Sequence, residues 1–210
     1  LSQTKFFCFF ALISSSAIWG LSPLFYRELI HIDPQIVMAY RVISSCLFLF
    51  VCHTILGNLL DICSLVKSYK TFALIVFASI MIGINQFGFI YSISVNQVIQ
   101  ASFAYYIFPL IAVFFGGVFL KEKFSKLQML ALVLALVSVI FLAMGLGYIP
   151  FISLLLGFTF AIYGLIKTVI SVDSLQSVFL ELSLISPVAF GYLLYLRLGS
   201  SEVFFDISTR

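Results

Sequence analysis

Charge is what this chain has least of. Asp, Glu, Lys and Arg make up 9% of its 210 residues, against about 25% in an ordinary soluble domain. A soluble fold needs a polar surface and a disordered chain needs polar residues throughout, so both classes are excluded. The net charge of +3 arises from 11 Lys and Arg against 8 Asp and Glu. The basic residues stand singly between apolar runs, which excludes nucleic acid as a partner. Cysteine is equally scarce. Cys8, Cys46 and Cys52 lie inside apolar runs and Cys63 lies near a loop, with no C-x-x-C spacing. They read as soft apolar side chains, and no disulfide framework is expected. His31 and His53 fall near the ends of apolar runs without a ligand partner at useful spacing, so no metal site is expected. The H-E-x-x-H, G-x-S-x-G and phosphate-loop patterns are missing. The reading is therefore not an enzyme, with no catalytic residue and no cofactor.

Apolar residues fill the rest. They make up 63% of the chain, and the mean hydropathy is +1.22. One soluble core cannot hide that much apolar surface, so the lipid bilayer is the expected solvent. A helix needs about 20 apolar residues to cross the hydrocarbon. Seven stretches qualify: residues 6–26, 34–55, 72–94, 98–120, 127–146, 149–168 and 177–196. Their length without strict alternation excludes a transmembrane barrel. The first run, after Lys5, resembles a signal peptide at its start, but it continues to Tyr26 and further spans follow. The expected fold class is thus an all-α polytopic membrane protein. Asp33 is expected to cap the second span, with Pro34 in its first turn, and Pro150 to open the sixth.

Basic residues set the orientation. Lys5, Lys67, Lys70, Lys121, Lys123, Lys126 and Lys167 fall on one side, and Arg27, Arg197 and Arg210 on the other. The N-terminus is expected in the cytoplasm. A seven-helix receptor would require the opposite orientation.

An internal echo gives the organisation. Ala17-Ile18-Trp19-Gly20-Leu21 in the first span recurs as Ala161-Ile162-Tyr163-Gly164-Leu165 in the sixth, 144 residues later. If the sixth span restarts the first, the repeat has five helices. An odd number inverts the second copy in the membrane, a construction shared by many secondary transporters. Residues 1–147 would be the first repeat and 148–210 the start of the second, so the chain would carry seven of ten helices. A degenerate remnant without transport activity is the alternative reading.

Polar groups inside spans are costly and are functional candidates by default. Arg41 lies about two turns into the second span and either snorkels to the interface or faces a cavity and attracts anionic groups. Glu181 lies about one turn into the seventh, where a short side chain snorkels less easily. Asn85 and Gln86 lie near the middle of the third span, where hydrogen bonding between helices competes with a cavity role. In the fourth, Ser102, Tyr105, Tyr106 and Pro109 recur at roughly helical spacing. Pro23, Pro109 and Pro187 are candidates for helix kinks. Gly116-Gly117 is expected to let the fourth helix approach a neighbour closely, and Lys121-Glu122-Lys123 to be a solvated helix end.

Together these residues resemble the EamA type of the drug/metabolite transporter superfamily, and most closely its RarD subfamily. The matching stretches are Ile18-Trp19-Gly20 with Pro23, Arg41-Val42-Ile43, Gly83-Ile84-Asn85, and Ala101-Ser102 with Tyr105 and Pro109-Leu110. Phe119 to Phe124, Phe160 to Leu165, and Glu181 with Pro187 complete them. The resemblance implies two inverted five-helix repeats around a central cavity. It implies a permease of the bacterial inner membrane that moves small metabolites or drugs by alternating access. Arg41, Asn85, Ser102, Tyr105 and Glu181 are then the expected cavity-facing residues, and an unidentified small-molecule solute the expected partner. A homodimer is compatible with this reading. The chain departs from the RarD pattern at Tyr40, Gln100 and Phe108, where a His, an acid and an Asn are usual.

Overall fold

The computed structural model describes residues 3–57, 68–146, 150–170 and 172–199. Cys63, Lys67 and Arg210 lie outside the described residues. Seven helices are present among the described residues, and no strand. They are α1 (Gln3–Glu28), α2 (Pro34–Leu56), α3 (Tyr69–Ser94), α4 (Val98–Phe119), α5 (Lys126–Leu146), α6 (Phe151–Val169) and α7 (Ser174–Gly199). Each is long and apolar enough to cross a membrane. A helix satisfies its own backbone polar groups, which lipid cannot do, and that is why sequences of this composition form helices throughout. The fold class read from the sequence holds.

Local chemistry sets the helix ends. Pro34 occupies the first turn of α2, where its missing N–H removes no bond. The Asp33 side chain makes no capping bond, contrary to expectation. Its backbone carbonyl instead accepts from the amides of Ile36 and Val37, at 2.9 and 3.2 Å. Gly57 ends α2 in the left-handed conformation, at φ 72°, which a residue without Cβ adopts at no steric penalty.

Gly116 and Gly117 do not serve a neighbouring helix as expected. A Cβ at Gly116 would stand 2.8 Å from Glu122 Oε2, and one at Gly117 would stand 3.0 Å from the Phe124 ring. The glycines thus make room for the segment that follows α4 to fold back on it. Lys121, at φ 55°, provides the reversal.

Packing is led by two pairs. α4 lies along α6, and α2 along α7, while α3 crosses both α6 and α7. Lipid is as apolar as leucine, so helices associate through close packing and hydrogen bonds rather than by escaping water. Small residues accordingly line the seams. Ala101 and Ala104 of α4 meet Phe89 and Ile93 of α3 and Leu156 of α6. Gly157 of α6 approaches α4 so closely that a Cβ there would lie 3.2 Å from Ile107 Cγ2. The Ser153 hydroxyl, fully buried, donates to the Gln100 carbonyl at 2.6 Å and ties α6 to α4. Ala39 and Val42 of α2 meet Ala189 of α7. Ile75 and Ala78 of α3 pack on Ile166 of α6 and on Ile170 just beyond it. By contrast, α1 and α5 bury none of their described residues.

Candidate solute cavity

Residues of five helices line a cavity of about 660 Å³. α1, α2, α3, α6 and α7 each contribute to its wall. Most of the wall is apolar or aromatic, and its polar groups are few. Trp19 enters from α1, Arg41 from α2, Gln86 from α3, Phe160 and Tyr163 from α6, and Glu181 from α7. Apolar walls with few convergent polar groups are the usual make-up of a small-molecule site.

Arg41 is half-buried, and its Nη1 donates to the side-chain oxygen of Gln86. Among the described residues, Arg41 has no carboxylate within ion-pair distance. Glu181, 2% exposed, is surrounded by donors. Lys167 Nζ lies 3.0 Å from Oε1, the Ser177 hydroxyl 2.8 Å from the same oxygen, and the Tyr163 hydroxyl 3.0 Å from Oε2. Lys167 Nζ also donates to Ser177 Oγ at 2.6 Å and stands 5.6 Å from the centre of the Tyr163 ring. A buried carboxylate is tolerable only when paired and hydrogen-bonded, and this one is both. The two charges of this cluster cancel, so the uncompensated charge on the cavity wall is that of Arg41.

The other singled-out residues lie elsewhere. The Asn85 amide donates to the Leu156 carbonyl at 2.7 Å and to Thr159 Oγ1 at 3.1 Å, bracing α3 against α6. Ser102 and Tyr105 line a separate crevice of about 530 Å³ between α1 and α4. Pro23, Pro109 and Pro187 sit inside unbroken helices. A proline cannot bond the carbonyl four residues before it, which frees those of Trp19, Tyr105 and Ser183. The Ser22 hydroxyl takes up the first at 2.7 Å and the Ser186 hydroxyl the third at 3.2 Å. His53 of α2 is fully buried against Phe179 of α7. No group of three or more His, Cys, Asp or Glu close enough to hold a metal exists among the described residues.

Sequence reading did not bring Lys167, Tyr163 and Ser177 to Glu181. Lys167 counted only as an orientation signal, because a membrane-edge lysine and an ion-pairing lysine are identical in sequence. A signal did exist. Tyr163 and Lys167 are four residues apart, as are Ser177 and Glu181, so each pair shares one helix face.

Comparison with known proteins finds relatives among membrane transporters. The sequence profile of the EamA-like transporter family matches residues 6–144. An uncharacterized transporter of Bacillus subtilis, YojE, is 38% identical over 185 residues, which cover 86% of this chain and 62% of that protein. Protein RarD of Escherichia coli is 30% identical over 176 residues, covering 84% of this chain and 60% of RarD. Protein RarD of Streptomyces exfoliatus is 32% identical over 187 residues, covering 89% and 59%. The chain therefore spans about three-fifths of the length of these relatives. No solved structure matches it. With a family profile covering most of its length and seven helices fit to cross a bilayer, the chain belongs to the EamA-like transporter family.

Proposed function

We propose that this chain is the cavity-bearing part of a bacterial inner-membrane permease for small anionic or zwitterionic solutes. Residues 1–147 form its first repeat and 148–210 begin the second, inverted one. Transport proceeds by alternating access, as one repeat rocks against the other around the cavity, and the N-terminus is cytoplasmic.

One observation carries the solute preference. Arg41 faces the cavity with a neutral amide as its hydrogen-bond partner, while Lys167 neutralises Glu181. An anion entering the cavity therefore meets a guanidinium that has no carboxylate to compete with it. The aromatic wall of Trp19, Phe160 and Tyr163 favours a flat apolar body behind the anionic group. A volume of about 660 Å³ falls in the range of small-molecule sites, about 300–1,000 Å³.

Trp19 is the single tryptophan of the chain and lines this cavity, so its fluorescence reports occupancy. Benzoate and benzylammonium, alike in size and opposite in charge, are suitable probes. Saturable quenching by benzoate is expected, with little by benzylammonium. A hydrogen bond to a charged group contributes about 1.5–3 kcal/mol, so Arg41→Ala should weaken benzoate about tenfold or more. Equal quenching by both probes, or an unchanged titration in Arg41→Ala, would sink the assignment.

A further inference from the structure

The large cavity and the α1–α4 crevice share one lining residue, Trp19. Between them lies a void of about 10 Å³, walled by Trp19, Phe89, Tyr105 and Phe160 among others. That is at the lower limit of what one water requires, about 10–15 Å³. The indole Nε1 of Trp19 donates to the Tyr105 hydroxyl at 2.7 Å across this constriction. Phe89 packs edge-on against the Tyr105 ring, with centroids 6.4 Å apart. The hydrogen-bonded Trp19–Tyr105 pair thus stands in the wall between the two spaces, beside Phe89 and Phe160.

The backbone behind each partner is weakened at the same place. Pro23 stands four residues after Trp19, and Pro109 four residues after Tyr105. In each case the proline leaves the carbonyl of that aromatic residue without its helical donor. The Ser22 hydroxyl covers the Trp19 carbonyl, with a bond it can release and remake. Gly20, next to Trp19, has no atom of the described residues within 4 Å of its Cβ position. α1 also buries none of its described residues, and the bond to Tyr105 is its one side-chain hydrogen bond to another helix among the described residues. Two turns further on, Tyr26 packs edge-on against Phe89 of α3, so at the level of Trp19 the polar tie of α1 among the described residues is the bond to Tyr105.

We infer that the α1–α4 crevice is a second, water-filled vestibule of the permeation path, and that Trp19 and Tyr105 form the gate between it and the Arg41 cavity. Opening requires the indole–phenol bond to break and α1 or α4 to bend at its proline. Ser102 lies on the vestibule side and Ser45 on the cavity side. This inference deepens the permease reading and rests on it, yet its test needs no solute.

The test is thiol accessibility of the full chain in membrane vesicles of both orientations, with the native cysteines replaced by serine. Ser102→Cys and Ser45→Cys are reacted separately with a charged, membrane-impermeant methanethiosulfonate. With the gate intact, the two thiols should react from opposite faces of the membrane. Tyr105→Phe keeps the ring and removes only the bond. Loss of a hydrogen bond of ordinary strength should then speed labelling of Ser45→Cys from the Ser102 face by about three- to tenfold. Trp19→Ala should speed it further. Three results would overturn the inference: Ser102→Cys inert from both faces, Ser45→Cys open to both faces with the gate intact, or sidedness unchanged in Tyr105→Phe. A failure of any of these leaves the benzoate titration free to succeed, so the two readings fall separately.

Discussion

Removing Lys167 should destabilise the protein more than neutralising its partner, Glu181. The asymmetry follows from exposure. The Glu181 side chain is 2% exposed and that of Lys167 is 20%. In Lys167→Met the carboxylate stays buried with only the Ser177 and Tyr163 hydroxyls as donors. Breaking a buried pair in this way costs about 3–5 kcal/mol when the remaining charge is fully stranded. Two surviving hydroxyl donors reduce that to about 3 kcal/mol. Glu181→Gln preserves shape and most hydrogen bonds, and the lysine can extend its flexible stem towards solvent. Its cost should be near 1 kcal/mol, the net worth of an ordinary hydrogen bond. The double variant should cost less than the two single variants together, by about 2 kcal/mol, because the second change removes the charge that the first one stranded. Reversible unfolding in mixed micelles by denaturing detergent, followed by circular dichroism, measures all four proteins. Additive effects, or a larger loss in Glu181→Gln than in Lys167→Met, would refute the view that the lysine exists to neutralise a buried carboxylate.

Three further predictions contrast packed positions with an open one. Gly157→Leu should cost about 1–3 kcal/mol by forcing α6 away from α4, because its Cβ would already lie 3.2 Å from Ile107 Cγ2. Gly164→Ala, with nothing near its Cβ position, should raise stability by about 0.5–1 kcal/mol through helix propensity alone. The same detergent titration decides, and equal responses would contradict the packing. Asn85→Leu should lose about 1–2 kcal/mol with its two bonds to α6, while leaving the benzoate titration of Trp19 fluorescence unchanged. Loss of benzoate binding at unaltered stability would instead give Asn85 a direct part in holding solute.

The membrane class, the helix positions and most polar landmarks are legible in the residues, because lipid as solvent leaves few alternatives. A run of about 20 apolar residues can satisfy its backbone in hydrocarbon only as a helix. Charge scarcity likewise makes each intramembrane ionisable residue conspicuous, and that is how Arg41 and Glu181 stand out. Helix ends are less legible. Asp33 fits a side-chain cap by residue type, yet its carbonyl accepts the bonds. Gly116-Gly117 indicates close approach but not what approaches, and the partners prove to be Glu122 and Phe124 of the segment that follows rather than another helix.

How the polar residues divide among spaces depends on which helices pack together, and no periodicity within one helix encodes that. Ser102, Tyr105, Asn85 and Arg41 look equivalent as polar residues in apolar runs. Packing of α3 on α6 puts Asn85 in a seam, the gap between α1 and α4 takes Ser102 and Tyr105, and α2 sets Arg41 on the wall of the main cavity. Lys167 shows the same limit. Its charge places it near a membrane surface from sequence, and only the fold brings it to Glu181 of α7, 14 residues away, and leaves Arg41 as the cavity's uncompensated charge. Solvent chemistry selects the elements one residue at a time, whereas a site is a property of surfaces brought together from distant segments.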